Sequence, residues 1–391
     1  MKKTVVWALV LAVGLFAFAA CKKSGGPGAA TAKDMIAFMP QNVAGVLFID
    51  VNRVMKVEFV TKALAEPKAA KGLQDFIQKT GLDPRTDISY LGLGLTGNLS
   101  GGEGSSPSGF GILNLKYDKA ALVAKMKENK AKIVEGEYEG ISTIEITAEP
   151  KAEEPKTEEP KAEEPKTEEP KAAEGTDVVP GTATPQVDVE IPKVPEKPMM
   201  AAFLNDSHIV LGPVADVKAV CDVFKKKSPS AKDNAELSNL ILGANKAAIA
   251  WGVIAFKPED VKKMVESTPM LSSLASLKAI VLYFDYANKT LDMAFKAVTS
   301  DGVKNKELAD MITGFKAMGA LASGQKPEIG ELLNKIEVTS AADNVTIKAL
   351  LPEELLVKLS KMAESEILNK MGGEVKTEDK PVEDVKPAEI K

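Results

Sequence analysis

The sequence predicts an α+β fold made of two related halves. Each half is expected to be an antiparallel sheet with helices on one face, and a Pro/Lys/Glu-rich insertion interrupts the first. Three observations predict this. Short apolar runs are paired around turn residues at Glu139-Gly140, Asn205-Asp206-Ser207, Asn288-Lys289 and Asp343-Asn344, which is the pattern of antiparallel hairpins. Between them lie stripes of helical period, such as Val217, Val220, Cys221 and Phe224, which need a sheet to bury against. The order of elements also repeats. From Val43 and again from Ala247 the chain runs strand, helix, strand pair, helix, strands, helix.

Taken in order, Val43–Val51 reads as a buried strand, with Asn52 as N-cap of a helix over Arg53–Ala65. A helix over Lys71–Thr80 stops at Gly81 and Pro84. Strands at Ile88–Leu95 and Phe110–Leu115 flank a Gly/Ser-rich loop, and Asp118 caps a helix to Glu128. Lys132–Tyr138 and Ile141–Ile146 form the next hairpin. After the insertion come strands Met199–Leu204 and Ile209–Leu211, then a helix from Pro213, well placed as its first residue, to Lys226. A short helix follows at Glu236–Leu242. The second half runs strand Ala247–Phe256, helix Pro258–Glu266, hairpin Leu277–Tyr286 with Thr290–Val298, helices Lys304–Ala322 and Pro327–Leu333, strands Ile336–Ser340 and Val345–Leu350, and a helix from Pro352 to Met371. Two local matches support duplication: Ile112–Met126 resembles Val253–Val265, and Phe203–Val220 resembles Val338–Leu359.

The organisation that follows is a leader at 1–20, a tether at 21–34, the first half at 35–149 and 199–243, the insertion at 150–198, the second half at 244–371 and a tail at 372–391. Four copies of Pro-Lys-Ala/Thr-Glu-Glu open the insertion. A proline every fifth residue removes helix donors and clashes with the preceding turn, so a charged, extended coil is expected there and in the Lys/Glu/Pro-rich tail. If the insertion lies within the first half, the strands on either side of it belong to one sheet.

Composition narrows the function. The chain has 391 residues, 45% of them hydrophobic and only 5% aromatic, so its core is built from aliphatic side chains and methionine. Of the formal charge of −5, the stretch Glu149–Pro198 holds fourteen acids and seven lysines, roughly −7, which leaves the remainder near +2. Arginine occurs only at Arg53 and Arg85. Without a basic stripe or arginine forks, nucleic acid is not an expected partner.

No catalytic, cofactor or metal site emerges. Gly92-x-Gly94-x-x-Gly97 has the spacing of a dinucleotide-binding loop, but such a loop must open a helix whose N-terminus takes the pyrophosphate. Here Asn98-Leu99-Ser100-Gly101-Gly102 follows, so a strand leading into a hairpin loop is expected. His208 is the sole histidine and lacks partners for zinc, so a surface or turn histidine is expected. Ser323-x-x-Lys326 has serine–lysine hydrolase spacing, yet Gly324 and Pro327 break the helix that chemistry needs. Asp285 and Asp292 could face each other across a hairpin as acid and base, although a solvated face supplies such pairs routinely. Cys221 sits on a helical stripe and reads as a buried, inert thiol.

The start of the chain is more specific. Met1-Lys2-Lys3 precedes an apolar run, Thr4 to Ala20, and then comes Phe18-Ala19-Ala20-Cys21 followed by Lys22-Lys23-Ser24-Gly25-Gly26. This resembles a bacterial lipoprotein signal, with Phe18 where leucine is usual. The resemblance implies cleavage before Cys21, lipidation of Cys21, and a lipid anchor strong enough to hold the body at a membrane, since each buried methylene contributes about 0.8 kcal/mol. Lys22, rather than aspartate, implies the outer membrane with the body facing the periplasm. The remaining body, opening on Met39-Pro40 before the first strand, resembles envelope proteins catalogued only as domains of unknown function. The expected function is therefore non-enzymatic: a structural or protein-interaction role with an envelope protein or cell-wall partner. The alternative is a periplasmic carrier or chaperone for an apolar ligand, and a hydrolase using scattered carboxylates ranks third.

Overall fold

The structure is a computed structural model that describes residues 34–97, 108–128, 133–146 and 198–370. The leader, Cys21, the tether, nearly all of the insertion and the tail therefore lie outside the described residues. The fold is α+β, and all twelve strands form one sheet in the order β11-β12-β10-β9-β8-β1-β2-β3-β7-β6-β5-β4, every pair antiparallel. The strands are β1 (Gly45–Asp50), β2 (Ile88–Thr96), β3 (Ser108–Leu115), β4 (Ile133–Tyr138), β5 (Ile141–Ile146), β6 (Met199–Asn205), β7 (His208–Pro213), β8 (Ala250–Ala255), β9 (Leu277–Ala287), β10 (Thr290–Thr299), β11 (Ile336–Ser340) and β12 (Asn344–Pro352). The helices are α1 (Val51–Val54), α2 (Glu58–Ala65), α3 (Pro67–Thr80), α4 (Lys119–Glu128), α5 (Val214–Phe224), α6 (Ala235–Leu242), α7 (Pro258–Ser267), α8 (Gly302–Ala322), α9 (Pro327–Asn334) and α10 (Glu353–Lys370).

The repeat is visible in the topology. The first half is ordered β1-β2-β3-β7-β6 and the second β8-β9-β10-β12-β11, with the β5-β4 hairpin added beyond β6. Of the two local matches, Phe203–Val220 with Val338–Leu359 aligns equivalent elements, β6-β7-α5 with β11-β12-α10. Ile112–Met126 with Val253–Val265 does not. It aligns β3-α4 with β8-α7, whereas the topological counterpart of β8 is β1. That match reflects only the shared pattern of an apolar strand entering a helix.

The halves do not form two sheets. β1 pairs with β8 along Gly45↔Ile254 to Ile49↔Ala250, so the two central strands carry the join, and among the described strands the edges fall at β4 and β11. Side chains alternate along β1 accordingly. Leu47 and Ile49 belong to one core with Val51, Val54 and Val60 of α1–α2, Val123 of α4 and Leu355 of α10. Val46 and Phe48 belong to the other, with Met35, Met39, Val217, Cys221 and Leu237. Helices thus cover both faces of the first half. In the second half α8–α10 pack against the first face. The difference follows from β1 and β2 being apolar on both sides, so each side needs a cover.

Local details depart from expectation where side chains compete for caps. Asp50, not Asn52, caps the first helix, its Oδ1 accepting from the Arg53 amide at 3.0 Å. The helix expected over Arg53–Ala65 is split into α1 and α2. Pro67 opens α3 four residues before the expected start, because its fixed φ suits a first turn. The Glu139-Gly140 turn has φ of 53° and 73° and the Asn288-Lys289 turn 51° and 58°, the paired positive values of a type I′ hairpin. β5 and β6 are neighbours, with Ile146 opposite Met199. The chain therefore leaves the sheet at Ile146 and re-enters it one strand away.

Candidate functional site

A cluster of charged and hydroxyl side chains lies where the halves join, on the face of Val46 and Phe48. Asp50 ends β1 and caps α1, which places Arg53 over the strand ends. Arg53 donates from Nη1 to the Ala247 carbonyl at 2.7 Å and from Nη2 to Asp285 Oδ1 at 3.1 Å. It therefore ties β9 and the approach to β8 to the first half. Asp285 stands opposite Asp292 in the β9–β10 register. Asp292 accepts from the Tyr283 hydroxyl at 3.1 Å and lies 3.5 Å from Lys348 Nζ. Burial raises the Asp285 carboxyl despite the opposing pull of Arg53, and burial raises Asp50 as well. Burial and neighbouring carboxylates push the Tyr283 phenol up to about 12; Tyr90 rises for the same reasons. The structure thus brings Asp285 and Asp292 together as the hairpin predicts. Asp285 is held by Arg53 across the join, a clamp between the halves, whereas Asp292 is held by Tyr283 and Lys348 within the second half.

The other sequence candidates resolve into structural roles. Gly92 and Gly94 lie inside β2. A Cβ on Gly92 would stand 2.9 Å from Met35 Cε and Phe48 Cε1, and one on Gly94 2.3 Å from Phe110 Cζ. The glycine spacing makes room for an aromatic and methionine layer, not for a phosphate. His208 is 9% exposed. Nδ1 lies 3.0 Å from Asn205 Oδ1 and Nε2 3.1 Å from Asn114 Nδ2; with that amide nitrogen donating, Nε2 accepts and the ring proton sits on Nδ1. Phe38 meets the ring edge-on at 5.3 Å, and burial lowers the imidazole below its ordinary range. Ser323 closes α8 by donating to the Ala320 carbonyl at 2.7 Å, so it ends a helix where a serine–lysine nucleophile would begin one. Cys221 is fully buried, its thiol pushed up to about 11 by desolvation. Cys21 lies outside the described residues. Among the described residues no three His, Cys, Asp or Glu side chains group as metal ligands.

Two surface features were not singled out in the sequence. On α8 the side chains of Phe315, Met318 and Leu321 are 46%, 57% and 86% exposed. They fall at three-residue spacing, so they share one side of the helix. The only charged residue from Thr313 to Ala322 is Lys316, and its Nζ donates to the Ile336 carbonyl at 2.6 Å. The spacing was legible in the sequence; what hid the feature is that a buried stripe has the same spacing. The second feature is a shallow groove of about 390 Å³ along α2 and α3, lined by Leu64, Leu73 and Ile77, with Arg85 at its rim. Arg85 is held there by Asp83 at 2.6 Å.

No protein family matches the chain, and no curated protein matches it. Among solved structures, crystal form I of TP0453 is similar over 87% of this chain and 99% of that one, at 8% identity and a TM-score of 0.41. Crystal form III of the same protein is similar over 82% and 95%, at 8% identity and a TM-score of 0.43. Likeness at that level carries nothing about function from one protein to the other. No described helix is long and apolar enough to cross a membrane.

Proposed function

We propose that this chain is a lipid-anchored, non-enzymatic protein of the bacterial cell envelope whose body binds another envelope protein. The anchor is Cys21, on the strength of the lipoprotein-like leader, and the expected placement is the outer membrane with the body in the periplasm. The observation that carries the binding role is the α8 surface. A helix that leaves Phe315, Met318 and Leu321 in water forgoes roughly 1.5–3 kcal/mol of burial for each fully covered side chain, and a partner that covers them recovers it. The groove along α2 and α3 favours a second reading, a carrier for an apolar ligand, because about 390 Å³ falls at the small end of ligand sites.

The test is photocrosslinking in native membranes with a photoreactive phenylalanine at Met318. Reproducible capture of one protein, lost with Leu321→Glu, is expected. Capture of lipid alone overturns the interaction reading in favour of the carrier. Replacing Cys21 by Ala should abolish incorporation of labelled palmitate and the lipid mass on the product; a native product that carries neither and keeps its leader in the membrane fraction would instead make that leader a transmembrane anchor.

A further inference from the structure

A twelve-stranded open sheet has two edges, and this one treats them differently. At β11, α8 lies alongside and Lys316 covers the Ile336 carbonyl. At β4, among the described residues, no backbone group pairs beyond β5. The β4–β5 hairpin fixes which groups are free. Its two-residue type I′ turn closes on Tyr138↔Ile141, so Tyr138, Gly136 and Val134 direct their amides and carbonyls to β5. Ile133, Glu135 and Glu137 direct theirs outward. The outward backbone groups therefore belong to residues whose side chains share one face, and two of the three are glutamates.

Those glutamates decide what can pair. Glu135 stands opposite Ile144 and Glu137 opposite Ser142 on the β5 side, and both are exposed. Glu135 already carries a salt bridge to Lys127 of α4, which lowers its carboxyl below the ordinary range. A second copy of β4 laid antiparallel would set carboxylates near carboxylates, which opposes self-association. A strand with lysines at alternate positions would set an ammonium beside each carboxylate while its backbone fills the free donors and acceptors. Val134, 60% exposed on the opposite face, gives the intervening residues of such a strand an apolar neighbour.

We propose that the β4 edge takes up an extended segment of a partner protein with lysines at every second residue, adding a thirteenth strand. This surface is separate from α8, so either can fail without the other.

The probe is a fluorescent heptapeptide alternating lysine and valine, compared with its glutamate–valine counterpart by anisotropy on the mature protein at low salt. The lysine peptide is expected to bind saturably and at least about tenfold more tightly, the product of two favourable cross-strand pairs against two repulsive ones. Glu137→Pro removes one outward amide and leaves the β4–β5 ladder intact. It should abolish binding with the thermal midpoint unchanged. The double variant E135K/E137K should reverse the preference between peptides, and it keeps the test sound if the proline variant is unstable. Equal affinity for the two peptides, no saturable binding, or an unreversed preference in the lysine variant overturns the proposal.

Discussion

At Gly94 a single hydrogen in place of a side chain lets the tip of the Phe110 ring sit against β2. Gly94→Ala should destabilise the fold by about 1–3 kcal/mol, the usual cost of overpacking a filled core, measurable as a lower denaturant midpoint with unchanged slope. His208 makes a prediction with a sign. Burial lowers its folded pKa below the ordinary 6.5, so the unfolded chain takes up the proton first. The stability it contributes is complete above the ordinary pKa and is lost as pH falls from there toward the folded value. Thermal midpoints at pH 7.5 and 5.5 should therefore fall further in the native protein than in His208→Gln; equal falls would show that the ring does not titrate against the fold. Both residues were visible in the sequence, one as a phosphate motif and one as a turn histidine. What no spacing could reveal was Phe110 above the first and Asn114 beside the second, because those contacts come from strands paired across a long separation. Arg53 is similar. Its rarity among the fifty basic residues was a usable signal, since a planar fork serves two acceptors where lysine serves one point. Its partners, the Ala247 carbonyl and Asp285, could be named only from the fold.

Among the elements, the hairpins were the most legible, because the residues at Glu139-Gly140 and Asn288-Lys289 must sustain positive φ and few sequences do. Helix boundaries were less so: Arg53–Ala65 reads as one helix, yet the chain breaks between α1 and α2 to place Val57 in the core. α8 shows a different limit. Its length was clear, but periodicity reports that a stripe exists and not whether anything covers it. Within α8, Gly314 has open space where a Cβ would stand. Gly314→Ala should stabilise the protein by about 0.5–1 kcal/mol through helix propensity alone, read as a rise in thermal midpoint. A fall would mean that the glycine serves a bend or a contact.

For the whole molecule, the pairing of β1 with β8 makes the halves one cooperative body. Trp251 is the sole tryptophan among the described residues; it is 1% exposed and stacks on Phe48 across the join at 4.8 Å. Its fluorescence transition in denaturant should coincide with the loss of far-ultraviolet dichroism; two separated transitions would show that the halves melt apart. Removing residues 150–198 and closing the gap with a short turn should leave the thermal midpoint within a few degrees, because Ile146 and Met199 already face each other and a long loop adds little to closure entropy. The duplication was legible as a repeated order of elements. The single sheet was not, since which strand edges meet depends on the twofold relation between halves and leaves no local trace.

The strand register also gives the molecule two unlike rims. Thr96 and Ser108, where the Gly/Ser-rich stretch departs and returns, and Ile146 and Met199, where the acidic repeats do, all lie at the same ends of their strands. Asp50, Tyr90 and Asp285, with the arginine clamp, occupy the opposite rim. Sequence has been added at one rim while the other holds the halves together. A change of length or charge in either stretch enters the sheet at the first rim, while the arginine clamp is set at the second, so the two can be altered independently by mutation.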